Sequence, residues 1–254
     1  MFEKTCFGHL LQLQVRFCGA IVHSLLLREV DCSGMEDESK MMFLVEGNTL
    51  QFTKREFGLV IGLPVYKRPL FLPTEHRLSD LYFDDANHID MHAMVGALDK
   101  CQDDVDRVKL ALVYMLEYFL LGKNKQETYV NPIHLQIVDD LDLFNLYHWG
   151  RLVSFERTIC SLRNALKEFR EGGKKATQEA KAVAHYALLG CPYAFQVWAY
   201  ESIYDLGATF AIKTGLKDCP RILQWTSVKP PKYNTLNTSV FGRKRVGEGG
   251  TYCT

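Results

Sequence analysis

Three sets of side chains have the types and spacing for chemistry. His88 and His92 stand four residues apart, which on a helix turns both imidazoles to one face, with Asp84, Asp85 and Asp90 nearby. A metal ion needs converging donors of this kind, but a helical pair supplies only part of a coordination shell. The intervening Ile89, Asp90 and Met91 also lack the glutamate of the HExxH arrangement. His88 and His92 are therefore candidate metal ligands on what reads first as a solvated helix face. Asp139, Asp140 and Asp142 form the second set, a carboxylate cluster of the type that holds divalent cations. On one continuous helix, 139 and 142 share a face and 140 points elsewhere, so a charged helix end is the plainer reading. In the third set, His148-Trp149 is followed far downstream by Asp218-Cys219. A thiolate nucleophile requires an imidazole to take its proton and a carboxylate to orient that imidazole. His148 and Cys219 are the candidate catalytic pair, and the surrounding residues leave the set incomplete. No Gln shortly precedes Cys219, and Pro220 removes the backbone N–H after it.

Phosphate chemistry lacks a scaffold, because neither GxGxxG nor GxxxxGK[ST] occurs. The basic run Gly242-Arg243-Lys244-Arg245 and the pair Lys174-Lys175 offer local contacts to nucleic acid. A formal net charge of zero supplies no global field toward nucleic acid or membrane. Eight scattered cysteines without a CxxC pair read as reduced thiols of the nucleus or cytoplasm. The opening MFEKTCFGHL has no secretory pattern. No cofactor is implied, and the expected partners are proteins, with nucleic acid through the basic tail as an alternative and no membrane.

The elements that would position these groups are mostly helical. Val105 to Leu121 carries apolar residues round nearly its whole circumference, so other elements must wrap it. Asp106, Arg107, Lys109 and Glu117 interrupt it, and its apolar run falls far short of the roughly 18 residues of a membrane span. Further helices are expected over Phe17–Leu27, Ile89–Cys101, Pro132 through Phe144, Arg151–Phe169, Lys174–Leu189 and the AFQVWAYESI segment. Thr53-x-x-Glu56 is a capping box, with Gly62 and Pro64 ending its helix. Asn131-Pro132 starts another helix, and Gly172-Gly173 is expected to end the one from Arg151. MMFLV and TLQF flank Glu46-Gly47-Asn48 as a hairpin. Phe155, Phe169, Phe195 and Trp198 fall in register with buried faces. The fold class is mostly α: a single helical domain over residues 1–225 with a small β-hairpin near 41–52. Two subdomains joined near 122–131 are an option, and 226–254 reads as a disordered tail.

Several stretches together resemble a plant family. They are Phe7-Gly8-His9-Leu10, Leu25 to Glu29, Phe52-Thr53 with Glu56-Phe57 and Gly62-Leu63, and Asp139-Asp140-Leu141 with Phe144. Trp149-Gly150-Arg151, Phe195 to Glu201, and Cys219 to Leu223 with Trp225 continue the series. The chain is similar over residues 7–225 to a domain of unknown function that accompanies SUMO-protease-like (C48-type) cysteine peptidase domains in plant genes, many derived from Mutator-like transposons. Ile61 stands where that family usually has Thr, and His148 where it usually has Pro. The resemblance implies a non-catalytic interaction or scaffolding domain, any peptidase label belonging to a C-terminal neighbour. On that reading His148-Trp149 matches the unknown-function domain and not a peptidase active site.

Overall fold

The hydroxyl of Thr53 accepts from the Arg55 amide (3.1 Å) and the Glu56 carboxylate accepts from the Thr53 amide (3.1 Å), closing the capping box. These contacts come from a computed structural model describing residues 1–30, 40–63, 72–85, 88–123, 129–176, 186–217 and 219–242, with backbone alone at 151–152 and 168–176. The fold is mostly α, as expected. After two short 3₁₀ turns (Phe2–Lys4 and Gly8–Gln12), α1 (Gly19–Leu26) leads into β1 (Glu29–Val30). The antiparallel sheet β1-β2-β3 comes next, with β2 at Lys40–Val45 and β3 at Asn48–Thr53. Val45 pairs with Asn48 across the Glu46-Gly47 turn, so the expected hairpin forms; β1 adds a third strand.

The capped helix is α2 (Lys54–Ile61), and it ends on Gly62 in the left-handed region at φ 74°. There the ring of Pro220 lies so close that any Cβ would collide with it, so the position requires glycine for space as well as for conformation. Next come α3 (Arg77–Tyr82), α4 (Met91–Lys100) and α5 (Asp104–Met115), the last running without a break into a π-helical turn, Leu116–Leu120. The C-terminal half contains α6 (Pro132–Asp139), α7 (Leu141–Leu146), a second π-helical stretch (Trp149–Phe155), α8 (Glu156–Ala176), α9 (Pro192–Ser202) and α10 (Tyr204–Phe210). A two-stranded antiparallel sheet of β4 (Ala211–Lys213) and β5 (Trp225–Ser227), then α11 (Tyr233–Leu236) and a π turn (Asn237–Phe241), complete the described chain.

Burial explains why these elements assemble. One face of the hairpin supplies Phe43 and Phe52, which pack on Phe195 and Trp198 of α9 with ring centroids 5.0–5.6 Å apart. Phe57 and Phe155 close that group from α2 and the second π stretch, 5.5 Å apart. Rings at these distances add to the gain from removing large apolar surfaces from water. A second group gathers Phe7, Phe144 and Trp149 (4.9 and 5.0 Å), and the Trp149 Nε1–H donates to the Phe144 carbonyl at 2.8 Å. Buried apolar residues from Phe7 to Val240 belong to one cluster.

Four expectations need correction. The Pro132-to-Phe144 helix breaks at Asp140, which takes an extended conformation and caps α7 by accepting from the Asp142 and Leu143 amides, both at 3.0 Å. Helix α8 runs through Gly172-Gly173 to Ala176. Each glycine costs about 1 kcal/mol relative to Ala, but neither removes a backbone donor as proline does. Pro69 and Pro73 make residues 65–79 read as loop in the sequence, but both prolines precede Arg77, and Arg77–Tyr82 is helical. The chain after Trp225 is structured through 242, because fully buried Leu236 and Val240 anchor it; 243–254 lie outside the described residues. The expected Lys174–Leu189 helix falls largely on 177–185, also outside them, and 186–189 is not helical. Among the described residues, no helix is long and apolar enough to cross a membrane.

Candidate functional site

The sequence candidates lie apart from one another in character. His88 precedes α4, so the expected i, i+4 pair on one helix does not form. Its Nδ1 lies 2.7 Å from Asp85 Oδ2 and its ring stands edge-on to Tyr129, while His92 is exposed on α4. Among the described residues, no three His, Cys, Asp or Glu side chains are grouped to hold a metal ion. His148 is buried, 6% exposed, with its ring stacked 4.4 Å from that of Tyr147. Cys219 is half-buried before a 3₁₀ turn (Arg221–Leu223), its carbonyl accepting from Gln224 Nε2 at 3.1 Å. An extended peptide substrate needs an open imidazole beside the thiol, and His148 does not present one. Asp218, Arg243, Lys244 and Arg245 lie outside the described residues, as do the side chains of Lys174 and Lys175. Burial pushes the Cys6 and Cys191 thiols up to about 12, which keeps both protonated at neutral pH.

The carboxylates have structural partners. Arg77 forks onto Asp106 (Nη2–Oδ1 2.6 Å, Nη1–Oδ2 3.0 Å) and also reaches Asp139 through Nε (2.9 Å) and Nη2 (2.6 Å). Lys109 Nζ meets Asp139 at 2.7 Å, and the Tyr82 hydroxyl donates to Asp106 at 2.9 Å. The Arg77 hydrogen bonds hold both carboxyls below the ordinary aspartate value, against a smaller opposing push from burial. This ties α3, α5 and α6 together. Asp139 thus works for the fold, and Asp140 works as a cap.

Deeper in, Glu117 is wholly buried on the first π turn. Its Oε1 lies 2.8 Å from His134 Nδ1 and accepts from the Asn131 amide at 3.1 Å, and Lys123 Nζ sits 2.7 Å from Oε2. Burial works to raise the Glu117 pKa; His134 and Lys123 outweigh it and leave the carboxyl below its ordinary value. In the sequence Glu117 is only an interruption of an apolar helix. A carboxylate inside so apolar a stretch is the available signal of a paired interior charge.

Two residues further along the same π turn, Phe119 faces an open cleft of about 630 Å³ between the start of α1, the 186–193 segment and α11. Phe119 and Phe17 both pack on Tyr193, at 5.5 and 5.6 Å. A second ring group centres on His23, 5.9 Å from Tyr186 and 5.8 Å from Tyr233. The Tyr186 hydroxyl lies 3.0 Å from His23 Nδ1, and burial lowers the His23 pKa, favouring the neutral ring. No Lys, Arg, Asp or Glu occurs among the described residues lining the cleft. Gly122 and Gly190, both at positive φ, pass backbone to backbone beside it, with the Gly190 amide donating to the Leu121 carbonyl at 2.8 Å.

Fold and site define a helical domain whose interior carries paired charges and whose surface carries an aromatic cleft with no charged side chain among the described lining residues. The chain belongs to the family described as Domain of unknown function (DUF1985), whose model matches residues 26–161. That match takes in the hairpin, α2 to α7 and the buried charge pairs, whereas Phe17, His23, Tyr186, Tyr193 and Tyr233 of the cleft lie outside it. Neither a curated protein nor a solved structure matches the chain.

Proposed function

We propose that this chain is a non-catalytic interaction domain that uses the aromatic cleft to hold a protein partner. The observation that carries this reading is a division of side chains. Inside, Glu117 is engaged with His134 and Lys123, and Asp106 and Asp139 with Arg77, while the described residues lining the cleft are aromatic or apolar and include no Lys, Arg, Asp or Glu. Concave, mainly apolar surfaces with a few polar groups are the usual form of binding sites. The resemblance to the plant domain found beside SUMO-protease-like peptidases extends the proposal. The chain would serve as the recognition or scaffolding part of a transposon-related protein acting in the nucleus or cytoplasm.

Two assays test it. Purified chain incubated with SUMO precursors is expected to release no cleaved product; robust cleavage abolished by Cys219→Ala would overturn the non-catalytic reading. Crosslinking capture from plant nuclear extract is expected to recover a partner with the unaltered chain and to lose it with Phe17→Leu plus Tyr193→Leu. Equal recovery by both would remove the cleft from the reading.

A further inference from the structure

We propose that the cleft flanked by Phe17, Phe119, Tyr193 and the His23–Tyr186–Tyr233 group receives a trimethylated lysine side chain of a protein partner. This rests on the interaction-domain reading and names the chemistry of its partner.

Charge is the first discriminator among ligands. Aromatic faces are electron-rich and attract cations held within about 6 Å of a ring centroid. Seven rings line this cleft, Tyr118 and six others in two contacting groups, Phe17–Tyr193–Phe119 and Tyr186–His23–Tyr233. No described lining residue is a Lys or Arg that would repel an incoming cation, and burial disfavours a charged His23. Electrostatic complementarity therefore points to a positive ligand over a negative one.

The same lining selects among cations. An unmodified lysine ammonium carries three N–H donors and a tightly held hydration shell. Bringing it into the cleft would require acceptors, ideally a carboxylate, and no Asp or Glu is present among the described lining residues. A trimethylated ammonium has no N–H to satisfy and spreads its charge over methyl groups, so it loses little by leaving water. Its methyl surface also gains from contact with rings.

Size then decides between a free quaternary amine and one carried on a chain. At about 630 Å³ the cleft is several times the volume of a trimethylammonium group and is open to solvent along one side. The remaining space suits a four-carbon stem and flanking backbone, with Leu188 and Pro192 offering the stem apolar contact.

The test is calorimetric titration of the full chain with four probes. They are the acetylated amide of trimethyl-lysine, the same compound with unmodified lysine, its uncharged tert-butyl carbon isostere, and free choline. The trimethyl-lysine compound is expected to bind about tenfold more tightly than each of the others. Phe17→Leu and Tyr193→Leu are each expected to weaken that binding by about tenfold while the helical circular dichroism spectrum is retained. Equal affinity for the uncharged isostere would show that charge plays no part and overturn the proposal. So would equal affinity for unmodified lysine or for choline, or the absence of binding by the trimethyl-lysine compound. Should titration fail while partner capture still depends on Phe17 and Tyr193, the ligand proposal falls and the interaction domain stands.

Discussion

Glu117 and Phe119 sit two residues apart on one π-helical turn, yet they belong to regions that solve opposite problems. Glu117 points into the interior, where an ionised carboxylate is tolerated only because His134, Lys123 and the Asn131 amide surround it. Phe119 points to the cleft, where rings stay half-open to water and no charged side chain is found among the described lining residues. A π turn inserts one residue into the helical ladder and rotates the residues after it, and such turns are frequent at functional sites. The contrast separates a region where paired charges hold helices together from the exposed aromatic surface proposed to bind a partner.

The most damaging way to probe that contrast is Glu117→Ala. It leaves the largely buried Lys123 without its counter-charge and the buried His134 without its acceptor, and urea unfolding is expected to show a loss of about 3–5 kcal/mol. Asp106→Asn should cost less, about 1–2 kcal/mol in the same measurement, because its partner Arg77 is 43% exposed and solvent screens it. Acid titration addresses the whole charged region at once. Glu117, Asp106 and Asp139 have native values below their unfolded ones, so their stabilisation is complete above the ordinary carboxylate range, near pH 4. It should fade as the pH falls from there through the lowered native values, seen as a falling urea midpoint. The smallest effect belongs to the other region: Phe17→Leu, at a residue 36% exposed, should move the urea midpoint by no more than about 0.5 kcal/mol equivalent.

Local chemistry is readable from the chain where neighbouring residues settle it. Thr53 and Glu56 cap each other within one turn, Asn131-Pro132 starts α6, and Glu46-Gly47 closes the hairpin. Asp140 is harder to see, since in DDLDLF a capping aspartate looks the same as a charged helix end. Leu236 and Val240 sit among Thr, Ser and Asn, and only their long-range burial against the core reveals an ordered segment. The candidate site is the least legible part. Its rings come from positions 17–23, 118–119, 186–193 and 233, and no periodicity links residues so far apart. His148 is the converse case, a residue type with catalytic chemistry that the fold buries and stacks against Tyr147.

The claim that Glu117 and its interior partners are committed to one another is tested most directly by a double-mutant cycle on Glu117 and His134, using Glu117→Ala, His134→Ala and the pair in urea unfolding. Mutual commitment predicts a coupling of about 1–3 kcal/mol, the double variant losing far less than the sum of the singles. Losses that add to within about 0.5 kcal/mol would contradict it.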